Sequence, residues 1–67
     1  MRTIPLAPLE RIMRKAGAER VSADAVEALR DLVEERAAQL AEEALRAARH
    51  ANRRTIKRED IELVAKK

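Results

Sequence analysis

The sequence predicts an all-α protein in which one long central helix lies between two short helices. Apolar residues recur at every third or fourth position across residues 23–51, which is the spacing of a buried helical stripe. Two prolines near the start and a single glycine at position 17 separate this segment from a short preceding helix. No alternating polar and apolar run indicates a β-strand. At 67 residues, the chain is predicted to form a single domain over residues 1–67.

The first short helix is expected to begin among the prolines and to end before the glycine. Pro5 and Pro8 suit a first helical turn, because the backbone N–H that proline lacks has no partner there. The apolar face of this helix consists of Leu9, Ile12 and Met13. Gly17 is well placed to close the helix in the left-handed conformation.

The central helix is predicted to run from Ala23 to about Ala51. Ser22 is its expected N-cap, because a serine hydroxyl can accept a hydrogen bond from a free N–H of the first turn. At 1.5 Å per residue, the helix would be roughly 40 Å long. Asn52 can adopt the left-handed conformation that ends it. Its apolar stripe consists of Val26, Leu29, Val33, Ala37, Leu40, Ala44 and Ala48.

The third helix is expected to start after a short loop, with Thr55 as its N-cap. Glu59 and Asp60 fall in or near its first turn, where negative charge is favourable. The residues predicted to face the core are Ile56, Ile61, Leu63 and Val64.

The composition leaves little material for a core in a single copy of this chain. Alanine supplies 14 of the hydrophobic residues, and the chain has no aromatic residue and no cysteine. Small domains that lack disulfides, metals and large apolar side chains usually become stable by oligomerising. Two short flanking helices also cannot cover the whole stripe of a ~40 Å helix. We therefore expect an obligate dimer, in which a second copy crosses the long helix in antiparallel fashion.

Charge is segregated along the chain. Residues 23–47 carry a net charge of −4, whereas residues 1–22 carry +3 and residues 48–67 carry +4. The bases therefore gather where the predicted helices end, and clustered bases of this kind indicate a surface that meets phosphates. The sequence shows no secretory signal pattern and no run of about 18 apolar residues, so we expect no membrane association and a cytoplasmic location.

Catalytic and metal-binding functions find no support in these residues. The chain has one histidine and no cysteine, which is too few for a usual metal site. No glycine-rich phosphate loop and no pairing of a nucleophile with a base is visible. We expect neither an enzyme nor a bound cofactor.

Two segments of the chain resemble archaeal histones. PLAPLERIMRKAGAERVS, residues 5–22, is similar to the first helix and first loop of that family. ARHANRRTIKREDIELV, residues 48–64, is similar to the second loop and third helix. The resemblance implies the histone fold, in which two chains interlock as a handshake dimer. It also implies a chromosome-associated protein of the nucleoid that wraps and compacts double-stranded DNA largely without sequence specificity.

The resemblance assigns DNA-binding roles to residues in both loops and in the first helix. Arg20 matches an arginine that enters the minor groove, which is how histones hold DNA without reading bases. Thr55 matches the partner of that arginine from the other subunit. Without the resemblance, each basic residue among these could equally be an ordinary solvated charge. The residues that match phosphate-contacting positions are Arg11, Arg14, Arg54 and Lys57.

Other positions match structural and assembly roles of the family. Arg53 and Asp60 match an ion pair that ties the second loop to the third helix. Ala47 and His50 match the face where dimers join, with Asp60 of a neighbouring dimer close to the histidine. The small Ala47 predicts weaker association there, because less apolar area is buried. Gly17 matches a position where a small residue allows successive turns of wrapped DNA to stack.

His50 allows two interpretations. At a dimer–dimer face, its titration would make assembly depend on pH, since histidine is the side chain that ordinarily titrates near neutrality. Alternatively, it simply stabilises the end of the long helix through the helix dipole.

Several questions of partnership stay open at this point. Dimers could stop at tetramers or grow into longer arrays on DNA, and the chain could form heterodimers with a paralogous histone. A second hypothesis is a histone-fold module that pairs with a different subunit, for example in a transcription complex. A third is a sequence-specific repressor of the helix-turn-helix type, which the length of the central helix disfavours.

Overall fold

The computed structural model describes residues 3–66, and these form three α-helices in the predicted order. Helix α1 comprises Leu6–Lys15, α2 comprises Ala23–His50 and α3 comprises Arg58–Ala65. The predicted all-α class is confirmed, and no residue from 3 to 66 lies in a strand. The 28 residues of α2 make it about 42 Å long. None of these helices is both long and apolar enough to cross a membrane.

The chain divides into two compact units, Met1–Glu35 and Arg36–Lys67, and the boundary between them falls within the residue range of α2. The first unit contains α1, the first loop and the beginning of α2. The second unit contains the rest of α2, the second loop and α3. Each unit has its own small group of buried residues.

Helix α1 ends in the left-handed turn that the sequence predicts. Gly17 has a φ of +113°, and its N–H donates to the carbonyl of Arg14 at 3.0 Å. The N–H of Ala18 donates to the carbonyl of Met13 at 3.3 Å. This pair of bonds is the Schellman motif, which satisfies carbonyls at a helix end that would otherwise lack partners.

Gly17→Ala is expected to lower the stability of the fold through backbone strain alone. A methyl group added at position 17 would meet no atom within 4 Å, so it causes no clash. The positive φ still costs an alanine about 1–2 kcal/mol. Thermal unfolding followed by circular dichroism measures the loss. Asn52→Gly is the matched control, because Asn52 already has a φ of +60°, and it should change stability by less than about 0.5 kcal/mol. Equal effects of the two substitutions would contradict this assignment.

Both ends of α2 also follow the sequence prediction. The hydroxyl of Ser22 accepts a hydrogen bond from the N–H of Ala25 at 3.1 Å, which confirms Ser22 as the N-cap. At the other end, the N–H of Asn52 donates to Arg49 and the N–H of Arg53 donates to Ala48, each at 2.9 Å. This is a second Schellman motif, with asparagine in place of glycine at the left-handed position.

The predicted start of α3 is wrong. Lys57, and not Thr55, is the N-cap, and the helix begins at Arg58. The carboxylate of Asp60 accepts the N–H of Lys57 at 2.8 Å and so stabilises the first turn from within the helix. A lysine side chain has no acceptor of its own, so this start depends on the acid three residues later.

In the first unit, buried residues come from α1 and the beginning of α2. Leu9 and Val26 are buried, and Arg30 is also buried, with an exposure of 9%. The guanidinium of Arg30 reaches Asp31, with its Nε 3.2 Å from a carboxylate oxygen. Ile12, which the sequence places on the apolar face of α1, is 58% exposed, so residues 3–66 leave much of this face uncovered.

Glu34 holds the segment that precedes α1 in this unit. Its carboxylate accepts the backbone N–H groups of Thr3 at 2.5 Å and Ile4 at 2.7 Å. These hydrogen bonds, with that of Ile4 the largest contribution, lower the pKa of Glu34 below its ordinary value. The sequence prediction missed this contact, because it joins residues 30 and 31 positions apart.

In the second unit, buried residues come from α2 and α3. Ala44 and Ala48 are completely buried, and Val64 is 3% exposed. The predicted core role of Val64 is confirmed, but that of three other residues is wrong for the single chain, since these stay exposed: Ile56, Ile61 and Leu63. Ala37, predicted to belong to the stripe, is also exposed. An eight-residue helix presents too few turns to cover a longer apolar surface.

Candidate nucleic-acid interface

Two arginines at the first loop differ in their contacts: among residues 3–66, the side chain of Arg14, in α1, is bound within its own chain, and that of Arg20, in the loop, is not. Arg14, near the end of α1, lies 3.6 Å from a carboxylate oxygen of Glu10 through its Nε. Its guanidinium also donates to the carbonyl of Glu19 at 3.4 Å, which ties the loop to the helix. Arg20 is exposed, as is Arg11, and Arg20 makes no side-chain hydrogen bond or ion pair with any residue from 3 to 66.

The second loop is held by a fork of hydrogen bonds between Arg53 and Asp60. One guanidinium nitrogen donates to Asp60 Oδ1 at 2.8 Å and the other donates to Oδ2 at 3.0 Å. The second nitrogen also donates to the carbonyl of Thr55 at 3.1 Å. Two parallel charge-assisted bonds fix orientation as well as distance, so the loop has one defined path back to α3.

This arrangement leaves three neighbouring side chains free to meet a ligand. Arg54, Thr55 and Lys57 are all exposed. Their backbones are constrained, since Thr55 gives its carbonyl to Arg53 and Lys57 gives its N–H to Asp60. The exposed bases therefore lie on a loop that is already ordered in the free protein, so binding a ligand would cost little further conformational entropy.

The electrostatics of the pair follow from these contacts. The hydrogen bond from Arg53, followed by that from the backbone of Lys57, lowers the pKa of Asp60 from 3.8 to about 2. The same pairing raises the pKa of Arg53 above its ordinary value. Both groups are therefore charged at neutral pH.

The stability of the fold is expected to depend on the ionised form of Asp60 in strong acid. Its pKa is lower in the folded state than in the unfolded chain, so the ionised carboxylate stabilises the fold fully above pH 3.8. This contribution is lost as the pH falls from 3.8 towards about 2. Asp60→Asn should lower the melting temperature at neutral pH and weaken its dependence on pH in that window. Glu62→Gln, which alters an exposed pair with Arg58, serves as the control and should keep the steep dependence.

A shallow groove lies between the end of α2 and α3 in the second unit. Its volume is about 370 Å3. Leu63 contributes an apolar side chain that is 59% exposed. The groove brings together two of the residues predicted for dimer–dimer contact, Ala47 and His50. Its complete lining is Glu43, Arg46, Ala47, His50, Leu63 and Val64.

Asp60, the third residue predicted for that contact, does not line the groove. Its exposure is 4%, and its carboxylate accepts three hydrogen bonds from its own chain. A carboxylate has about four acceptor positions, so little capacity remains for a histidine of another dimer. Within residues 3–66, no group of three or more histidine, aspartate or glutamate side chains could hold a metal ion.

Comparisons with known proteins show the family to which the chain belongs. Residues 2–64 match the family model described as histone-like transcription factor (CBF/NF-Y) and archaeal histone. The chain is 50% identical over 66 residues to a subunit of the archaeal histone HAN1 of Thermococcus zilligii, covering 98% of each chain. It is 43% identical over 61 residues to probable archaeal histone 3 of Methanocaldococcus jannaschii, covering 91% of each chain. The chain therefore belongs to the histone-like transcription factor (CBF/NF-Y) and archaeal histone family, which implies an architectural DNA-binding role and dimer formation.

Proposed function

We propose that this chain forms a handshake homodimer that wraps and compacts double-stranded DNA on the chromosome, largely without reading its sequence. The observation that carries the proposal is the second loop, in which the Arg53–Asp60 fork orders the backbone while Arg54 and Lys57 stay exposed. The proposal includes no enzymatic step and no cofactor.

Exposed apolar surface supports the dimer. Ile12 and Leu32 are each more than half exposed. Along α2, no residue from 31 to 43 is buried. Apolar surface of this kind on a small soluble chain marks an interaction site. A second copy of α2 crossing in antiparallel fashion would cover this stretch, and the flanking helices of both chains would then pack around the crossing.

The same crossing would assemble the DNA-binding surface. The first loop precedes α2 and the second follows it, so an antiparallel mate brings the first loop of one chain beside the second loop of the other. Arg20 would enter the minor groove there, next to Thr55 of the partner chain. Arg54 and Lys57, with Arg11 and Arg14 on the first helix, would contact the phosphates. Such contacts depend on DNA shape and charge and not on base sequence.

Further assembly would use the groove lined by Ala47 and His50. Packing two grooves together would cover the exposed side chain of Leu63 and join dimers into tetramers or longer arrays. The small Ala47 makes this contact weaker than a larger apolar side chain would. Open space around Gly17 is compatible with a second turn of DNA passing close by.

Nuclease protection tests the proposal directly. Plasmid DNA loaded with this protein alone is digested with micrococcal nuclease, and the protected lengths are measured. A ladder with equal steps is the expected result, because each added dimer protects one more length of wrapped DNA. A single protected length would limit assembly to one discrete particle. A featureless smear would contradict wrapping by this chain alone.

A second candidate function is a subunit that acts only with a different histone-fold chain. The matching family model covers histone-like transcription factors as well as archaeal histones, and one of the relatives is itself named as a subunit. An isolated chain that stays unfolded until a second protein is added would favour this function. The 28 residues of α2 are too many for the recognition helix of a helix-turn-helix repressor.

A further inference from the structure

An isolated positive charge lies in the middle of the exposed face of α2. Arg36 is exposed, and its side chain makes no hydrogen bond or ion pair with any residue from 3 to 66. The positions one helical turn before and after it carry no charge. These are Leu32, Val33, Gln39 and Leu40. A lone guanidinium among three aliphatic side chains and one uncharged amide is unusual for an ordinary solvated face, where opposite charges alternate.

The other arginines in the body of α2 have a different environment. Arg30 and Arg46 each have acids three or four residues away, at Glu27 and Glu34 for the first and at Glu42 and Glu43 for the second. The acid nearest to Arg36 in sequence is Glu35. Among residues 3–66, Arg36 forms no ion pair with it, whereas Arg30 does pair with the adjacent Asp31, at 3.2 Å. The charge of Arg36 is therefore not balanced on its own helix face.

The position of Arg36 along α2 matters for dimerisation. The buried residues nearest to it are Arg30 on one side and Ala44 on the other, so the uncovered stretch, residues 31–43, is centred on Ala37, next to Arg36. In a symmetric antiparallel dimer, the two-fold axis passes through the centre of the covered stretch. A residue at such an axis meets its own copy. Self-pairing would thus bring two Arg36 side chains together in a partly desolvated, apolar crossing.

We propose that Arg36 makes this chain prefer, over a second copy of itself, a different histone-fold chain that carries an aspartate or glutamate near the middle of its long helix. The homodimer is the form that the chain takes when no such partner is present. The inference rests on the proposed function, since it requires the handshake dimer, and it names the chemistry of the preferred mate. Like charges placed opposite each other disfavour the homodimer, whereas a carboxylate would pair with the guanidinium. Leu32 and Leu40, four residues before and after Arg36, would be buried in the homodimer and in the mixed dimer alike.

The test uses the full chain and a copy of it with Arg36→Glu. The two are unfolded together, refolded as an equal mixture, and the three dimers are counted by native mass spectrometry. Random pairing would put one half of the molecules in the mixed dimer. We expect the mixed dimer to exceed that share clearly, and its dissociation constant to be at least about tenfold lower than that of the wild-type homodimer. Added salt should reduce the preference, because it screens both the repulsion and the attraction.

Arg49→Glu is the matched control, since Arg49 is an exposed arginine of the same helix that lies far from the proposed crossing. Its mixture with wild type should follow random pairing. If the Arg36→Glu chain folds only when wild type is present, the proposal is supported as well. Random pairing of Arg36→Glu with wild type would overturn the inference and leave the handshake dimer intact. The absence of any dimer in all mixtures would overturn the dimer and the inference together.

Discussion

Replacing Arg20 by alanine is expected to reduce the affinity of the dimer for duplex DNA by at least about tenfold and to abolish a regular nuclease ladder. The side chain is exposed and has no partner among residues 3–66, so its removal leaves no unsatisfied group. A dimer carries two Arg20 side chains, so the substitution removes two minor-groove contacts from each dimer. Electrophoretic mobility shifts at a fixed salt concentration measure the affinity, and nuclease digestion measures the wrapping.

Arg58→Ala provides the matched control for Arg20. Arg58 is also an exposed arginine, with its side chain 91% exposed, but it lies 3.3 Å from a carboxylate oxygen of Glu62 and is partly neutralised. Its loss should change the affinity by no more than about twofold. Circular dichroism should show unchanged helix content in both variants. Normal wrapping by the Arg20→Ala protein would remove Arg20 from the DNA-binding surface.

Replacing Arg53 by alanine is expected to lower the melting temperature by on the order of ten degrees. The guanidinium supplies both hydrogen bonds of the fork and a third to the carbonyl of Thr55. Without it, the carboxylate of Asp60 stays nearly buried with only the N–H of Lys57 as a donor. The second loop then loses its defined path, so DNA affinity should also fall, although Arg53 itself faces Asp60.

The neighbouring arginine separates the effect on folding from the effect on binding. Arg54→Ala removes an exposed side chain, so the melting temperature should change by only about 1 °C. DNA affinity should fall, and the slope of its logarithm against the logarithm of salt concentration should decrease by about one. Similar melting temperatures for the Arg53→Ala and Arg54→Ala proteins would show that the fork does not stabilise the loop.

Local signals in the sequence predicted the helix ends well where the capping group lies within a few residues. Ser22, Gly17 and Asn52 each act through hydrogen bonds or backbone angles that involve only their immediate neighbours. Thr55 failed as a predicted cap, because the acceptor at the start of α3 comes from Asp60 inside the helix. Thr55, two positions before the N-cap Lys57, and the carboxylate of Asp60 can both accept hydrogen bonds from backbone N–H groups near the start of α3. Residue propensity alone does not decide which of the two acts as the acceptor.

Contacts between distant residues were harder to predict from the sequence. No pattern indicated that Glu34 would accept the N–H groups of Thr3 and Ile4, since helical periodicity carries no information about the path of the preceding segment. The burial of Arg30 was also missed, because a long aliphatic stem can be covered while the charged end stays near water. The pairing of Arg53 with Asp60 was predicted from the family resemblance. The spacing of the two residues along the chain would not have predicted it.

The contact at Glu34 has an evolutionary consequence. Its carboxylate binds mainly the backbone N–H groups of Thr3 and Ile4, which every residue type except proline supplies. The Thr3 hydroxyl adds only one long hydrogen bond, at 3.4 Å. Drift at positions 3 and 4 should therefore be nearly neutral for this anchor, whereas exchange at position 34 should not. In a mutational scan for stability, positions 3 and 4 are expected to tolerate every substitution except proline. Position 34 is expected to tolerate few.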